Sequence, residues 1–295
     1  MDRYPQMLAL FVIVLAFIVA RAIVYYQGET TDEKGRHNGI DGLRGCLAIG
    51  VFIHHAVIWR NYCLTGNWQA PTSHFYNQLG QTSVALFFMI SGFLFVKKLI
   101  DNRESGINWY RFFVGRLARL VPLYYFSLLI IVVTSLMLNG WRLNTSLGVF
   151  LGNVGHWMVF TYFERPTLNG LFEAQIVNAG VVWSLAFEWL FYFSLPLIGL
   201  FVLKVKPHIV YILLALGFVL AYYWLVGGFY YAQLHSFFGG AIVAVLLHYF
   251  GKRINSSHPL FGVAFVACFV GICQYHSADF ISVSYTHLTL PTSTH

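Results

Sequence analysis

Eight times along its 295 residues the chain runs apolar for about the length a helix needs to cross a bilayer. In hydrocarbon every backbone N–H and C=O must be satisfied within the segment, so such runs fold as helices and the chain as an all-α, polytopic transmembrane bundle. The candidate spans are Met7–Tyr26, Ile40–Trp59, Gln81–Leu99, Arg119–Leu138, Val181–Leu203, Pro207–Val226, Phe229–Phe250 and Leu260–Tyr275. Ser146–Phe163 is a ninth, weaker case, interrupted by Gly148, Gly152, Asn153, Gly155 and His156. About eight or nine membrane segments are therefore expected. With 58% hydrophobic and only 10% charged residues, a soluble globule is excluded. The 18% aromatic share suits lipid-facing surfaces and interfacial belts.

The net charge of +7 could be taken for a nucleic-acid footprint. In a membrane chain it instead marks cytoplasmic loops, and no nucleic-acid partner is expected. Lys97, Lys98, Arg103, Arg111, Arg116 and Arg119 follow the third span and place that loop inside. If Ser146–Phe163 crossed fully, Lys204, Lys206, Lys252 and Arg253 would fall outside; if it is re-entrant or interfacial, they fall inside with Lys34 and Arg36. Only Arg3, Arg60, Arg142 and Arg165 then lie outside, so the non-crossing reading is preferred. Met7–Ala20 resembles a signal-peptide core, but no A-x-A site follows, which favours an uncleaved first helix at 7–26. The four cysteines, Cys46, Cys63, Cys268 and Cys273, have no metal-ligand spacing. Three lie in apolar runs, where a small buried hydrophobe is expected. No metal or bound cofactor is expected. The last twelve residues, 284–295, are polar and β-branched, unlike any earlier loop. They read as a non-native tail on a C-terminally truncated chain, leaving one membrane domain over 1–283.

Four stretches carry chemistry. The first, Gly39–Arg60, is membrane-length yet holds Asp41, Arg44, His54 and His55. Ionisable groups inside a span are costly and mark function by default. At about 100° per residue, Arg44 and His55 return to within roughly 20° of one face, while His54 points about 80° away. The second, Val181–Phe193, contains Trp183 and Glu188. On the loop-charge topology, His55 and Glu188 each lie about 7–8 Å below the outer surface, with Arg44 roughly 16 Å deeper at 1.5 Å per residue. A base held by a carboxylate, or two polar groups in one aqueous cavity, would both fit. The third, Trp109–Tyr125, carries Arg111, Arg116 and Arg119 at the expected cytoplasmic surface, with Pro122 shaping the entry of the next helix. Guanidinium forks hold phosphate bidentately; a basic rim on anionic lipid headgroups fits equally well. The fourth, Thr82–Phe93, places Ser91 and Gly92 mid-span, where small residues let another helix approach. No G-x-S-x-G elbow surrounds Ser91, so packing is favoured over a nucleophilic role.

Taken together these stretches resemble the acyltransferase 3 family of bacterial integral-membrane O-acyltransferases that modify cell-surface carbohydrates. The matching elements are Asp41-Gly-Leu-Arg44 followed by His55 with ten residues between Arg44 and His55, F-F-x-x-S-G-F at Phe87–Phe93, Arg116-x-x-Arg119-x-x-Pro122, and Trp183-Ser-Leu-x-x-Glu188-x-x-Phe-Tyr192. They stand in the family's order. Two departures are the extra helix ahead of the Arg/His helix and the helices missing at the C-terminal end. The resemblance implies a multi-pass inner-membrane enzyme that takes acyl-CoA as donor substrate and a carbohydrate or glycolipid hydroxyl as acceptor. It also implies His55 as general base, with Glu188 supporting it in the catalytic set. Arg44 and the adjoining Asp41 would line the donor path, Arg116 and Arg119 would meet the donor's phosphates, and Ser91 and Trp183 would belong to the binding region. The competing class is a transporter or flippase, which also needs intramembrane ionisable residues and a polar path. Thioester cleavage discriminates: a transporter releases no free CoA thiol.

Overall fold

A computed structural model of the chain describes residues 3–27, 38–159, 166–201, 208–226 and 231–250. These residues form eight α-helices and no strand. They are α1 (Arg3–Gln27), α2 (Asn38–Thr65), α3 (His74–Asp101), α4 (Trp109–Leu138), α5 (Leu147–Met158), α6 (Trp183–Phe201), α7 (Ile209–Val226) and α8 (Tyr231–Phe250), with a 3-10 turn at Ala174–Asn178. Among the described residues four stretches are long and apolar enough to cross a membrane: Ile40–Thr65, His74–Asp101, Trp109–Leu138 and Trp183–Leu200. This is an all-helical membrane protein. The expected span Leu260–Tyr275, the tail 284–295 and the loop cations Lys34, Arg36, Arg165, Lys204, Lys206, Lys252 and Arg253 lie outside the described residues, as do Cys268 and Cys273.

The helix bearing the arginines starts earlier than hydropathy indicates. Asn108 caps it, its side chain accepting from the Arg111 N–H at 2.9 Å, so α4 begins at Trp109 rather than Arg119. Trp109 and Phe112 are buried, which gives this charged first stretch an apolar anchor. Arg111, Arg116 and Arg119 therefore stand on the helix and not in a loop. Pro122 consequently lies well inside α4 instead of at its entry. There it removes one backbone donor from the ladder.

Helix α5 has 12 residues, a rise of about 18 Å against the roughly 30 Å of a hydrocarbon core. It does not cross. It packs on α4, where Leu128, Ile131, Trp157, Leu168 and Ala174 form one buried cluster. The Tyr124 hydroxyl donates to the Trp157 carbonyl, and Trp157 Nε1 donates to the Pro166 carbonyl at 3.0 Å. Asn169, fully buried at a φ of 50°, locks the connection after α5. Its side chain donates to the Arg142 carbonyl at 2.8 Å and accepts from the Asn144 N–H at 2.7 Å. Asn tolerates this left-handed backbone better than most residues, which is one reason it is Asn here.

The described residues divide into two compact units within α3, after Phe87. In the first, Val12 and Ile13 of α1 pack with Ile49, Ile53 and Val57 of α2 and Tyr76 and Leu79 of α3. Cys46 on α2 is exposed, not buried as expected; on a membrane helix a thiol is as suited to a lipid-facing position as to a core. In the second, α3 and α8 cross at contact distance. A Cβ on Gly92 would strike the Phe237 backbone carbonyl, and one on Gly240 the Met89 carbonyl. Val96, Ile100 and Ala244 continue that seam. The small residues read from sequence at 91–92 thus serve a close helix crossing. Large apolar side chains such as Leu123, Leu213 and Ile242 stay exposed, as lipid-facing positions require.

Candidate active site

Helix α2 is continuous through its polar residues, so Arg44 and His55 keep the common face that the 100° turn dictates. Both are half-buried. Asp41 sits in the first turn, where a carboxylate complements the positive end of the helix. His55 Nδ1 lies 2.9 Å from the carbonyl of Val51, one turn earlier. A carbonyl only accepts, so Nδ1 carries the proton in the neutral ring and Nε2 presents its lone pair. That is the tautomer a general base uses.

His54 is placed differently. It is buried, and its Nδ1 donates to the Tyr76 carbonyl of α3 at 2.9 Å. Its ring lies over Gly80, where a Cβ would come within 2.5–2.8 Å of three ring atoms. The ring then stands edge-to-face against His55, centroids 5.1 Å apart. One histidine fastens α2 to α3, and the next is left to face elsewhere. Beside them Gly50 lies against Ser83 and Leu79, another close approach of the same two helices.

The second unit holds Glu188. The Tyr192 hydroxyl, one turn further along α6, donates to Glu188 Oε2 at 2.9 Å. Over the Tyr192 ring lies the guanidinium carbon of Arg116 from α4, 6.0 Å from the centroid, and it is 5.2 Å from the Phe95 centroid on α3. Cation–π contact of this kind is the form in which a guanidinium tolerates an aromatic setting. Arg116 Nε is buried without a hydrogen-bond partner. Arg119, read from sequence as its companion, is exposed. Their 300° separation along the helix leaves them about 60° apart, and the packing of α4 on α3 and α6 turns only one of them inward. Trp183, at the start of α6, is half-buried edge-on to Phe88 and Phe187. Ser91 is buried beside the Gly92 crossing.

Thus the structure joins Arg116 to Glu188 through Tyr192 and separates Arg119 from both. Tyr192 closes the motif read from sequence at Trp183–Tyr192 but carried no role there, and Phe95 was not singled out. The i, i+4 spacing of Glu188 and Tyr192 was the available signal for the first; nothing local marks Phe95. Among the described residues no three His, Cys, Asp or Glu side chains gather as a metal site.

A helical membrane protein with a tautomer-fixed intramembrane histidine, an arginine on its face and a buried tyrosine–carboxylate pair is the class this geometry defines. The acyltransferase domain model of the acyltransferase 3 family matches residues 37–291, and the chain belongs to that family. Nodulation protein 10 of Rhizobium leguminosarum bv. viciae is 28% identical over 175 residues, 56% of this chain and 45% of that protein. O-acetyltransferase OatA of Staphylococcus aureus is 28% identical over 182 residues, 58% of this chain and 26% of the relative. Peptidoglycan O-acetyltransferase OatA of Listeria monocytogenes is 26% identical over 174 residues, 56% of this chain and 24% of the relative. The match thus covers less than half the length of each of these relatives. No solved structure matches.

Proposed function

We propose that this chain is a multi-pass plasma-membrane O-acyltransferase, built on about eight or nine membrane segments in one domain. It moves an acyl group, acetyl by preference, from cytosolic acyl-CoA to a hydroxyl of a cell-envelope or exported carbohydrate. The names of two relatives as O-acetyltransferases, one of them of peptidoglycan, support this acceptor class. The observation that carries the reading is the hydrogen bond from His55 Nδ1 to the Val51 carbonyl, which leaves Nε2 as the proton acceptor on the face shared with Arg44.

In the proposed step His55 Nε2 takes the acceptor hydroxyl proton as the oxygen attacks the thioester carbonyl. The C–S bond then breaks, the new ester C–O bond remains, and the imidazolium returns the proton to the leaving thiolate as free CoA thiol. Arg44, with Asp41 near the same helix end, lines the donor path, and the exposed Arg119 with the outward edge of Arg116 meets the donor phosphates. Glu188 supports the site, and Trp183 and Ser91 shape its walls. No cofactor beyond the donor enters the step.

The test is thiol release in proteoliposomes offered acetyl-CoA and soluble peptidoglycan or exopolysaccharide fragments. General base removal costs about 10²–10⁴-fold, so His55→Ala should lose turnover on that scale. His54→Ala, corrected for folded protein, should lose far less. Turnover retained in His55→Ala refutes the base assignment; transport of the fragments without thiol release by the wild-type protein supports the transporter class instead.

A further inference from the structure

The Tyr192 hydroxyl has no packing reason to exist. The ring is buried, enclosed by Phe95 at 5.1 Å, Trp189 at 5.9 Å and Phe112 at 6.1 Å between centroids. A phenylalanine would fill the same space and offer the same π face to Arg116. What the hydroxyl adds is the bond to Glu188 Oε2 at 2.9 Å and a polar contact with the Arg116 side chain. With the ring clamped on several sides, the oxygen has one position, and a carboxylate bonded to it loses much of its rotational freedom. The same phenol thus has both a carboxylate, Glu188, and a guanidinium, Arg116, beside it. Both charged side chains are half-buried on membrane-length apolar helices, where each is costly alone.

We propose that Tyr192 is a positioning residue of the transfer reaction: it holds the Glu188 carboxylate in its working orientation while Arg116, across the ring, supplies the compensating charge. This deepens the acyltransferase reading and rests on it. It gives Arg116 a part to play inside the protein, in addition to the donor-phosphate role it shares with Arg119. The role requires the hydroxyl and not merely the ring.

Tyr192→Phe isolates that atom. It keeps the ring enclosure and the cation–π contact, so the variant should fold and melt near the wild type. With acetyl-CoA and soluble peptidoglycan or exopolysaccharide fragments in proteoliposomes, kcat should fall about tenfold or more while the acetyl-CoA KM stays within about twofold, the signature of an interaction used in the transition state. Glu188→Gln added to Tyr192→Phe should cost little beyond Glu188→Gln alone, because both break one unit. Independent, multiplying losses overturn the proposal, as does an undiminished kcat in Tyr192→Phe. A loss in proportion to misfolded protein also overturns it, since that is packing. If the wild-type protein releases no thiol, the acyltransferase reading falls and this inference falls with it; wild-type turnover with an unaffected Tyr192→Phe removes the inference alone.

Discussion

Gly80→Ala is the sharpest perturbation of the helix pair that carries the two histidines. The added Cβ would lie 2.5 Å from His54 Cγ, 2.7 Å from Cδ2 and 2.8 Å from Nδ1. Ordinary contacts begin near 3.4 Å, so the ring must retreat by several tenths of an ångström or α2 must lift from α3. The ring is rigid, buried to 8% exposure, and tethered through Nδ1 to the Tyr76 carbonyl at 2.9 Å. Overpacking of a filled site costs about 1–3 kcal/mol, and loss of the tether adds about 1, giving about 2–4 kcal/mol in all. Thermal unfolding of the detergent-purified protein reads this directly. A second arm isolates the cause: in His54→Ala/Gly80→Ala the methyl occupies space the ring has left. The double variant should therefore be more stable than the sum of the singles by about 1–3 kcal/mol. Gly42→Ala and Gly45→Ala are the controls. A Cβ at either meets nothing within 4 Å, so both should match or slightly exceed wild type through improved helix propensity. A Gly80→Ala protein that melts with wild type, or strict additivity in the double variant, refutes the claim that His54 is a helix fastener.

Two further outcomes follow from the same kind of geometry. Gly92→Ala should cost about 3 kcal/mol or more, at the upper end of overpacking, because its Cβ meets backbone at Phe237 that cannot rotate aside; the yield of monodisperse protein on gel filtration checks it. Asn169→Ala should loosen the connection after α5, costing about 2–4 kcal/mol through two lost buried hydrogen bonds, and should raise proteolytic cleavage near Arg142–Asn144 without abolishing thiol release.

Much of the architecture is legible in the sequence because hydropathy and helical period are local properties. The apolar runs locate α1, α6, α7 and α8 to within a few residues, while α2 runs six residues past its expected end and α3 starts seven before its expected beginning. Loop charge alone argued that 146–163 does not cross, and the described helix there, α5, has 12 residues. The start of α4 was displaced because a window average discounts Arg111 and Arg116. Burial of Trp109 and Phe112 and the Asn108 cap are what carry the helix through them.

The candidate site divides along the same line. That Arg44 and His55 share a face and that His54 leaves it follows from residue spacing on one continuous helix, and needs no neighbour. That His54 is the fastener and that Arg116 turns inward while Arg119 does not are decided by neighbouring helices: α3 at Gly80 and Phe95, and α6 at Tyr192. A lone helix has the same two arginines some 60° apart whatever it packs against. Only the crossing of a second helix makes one of those directions interior, because burial is a property of pairs of surfaces and a single chain segment specifies just one of them.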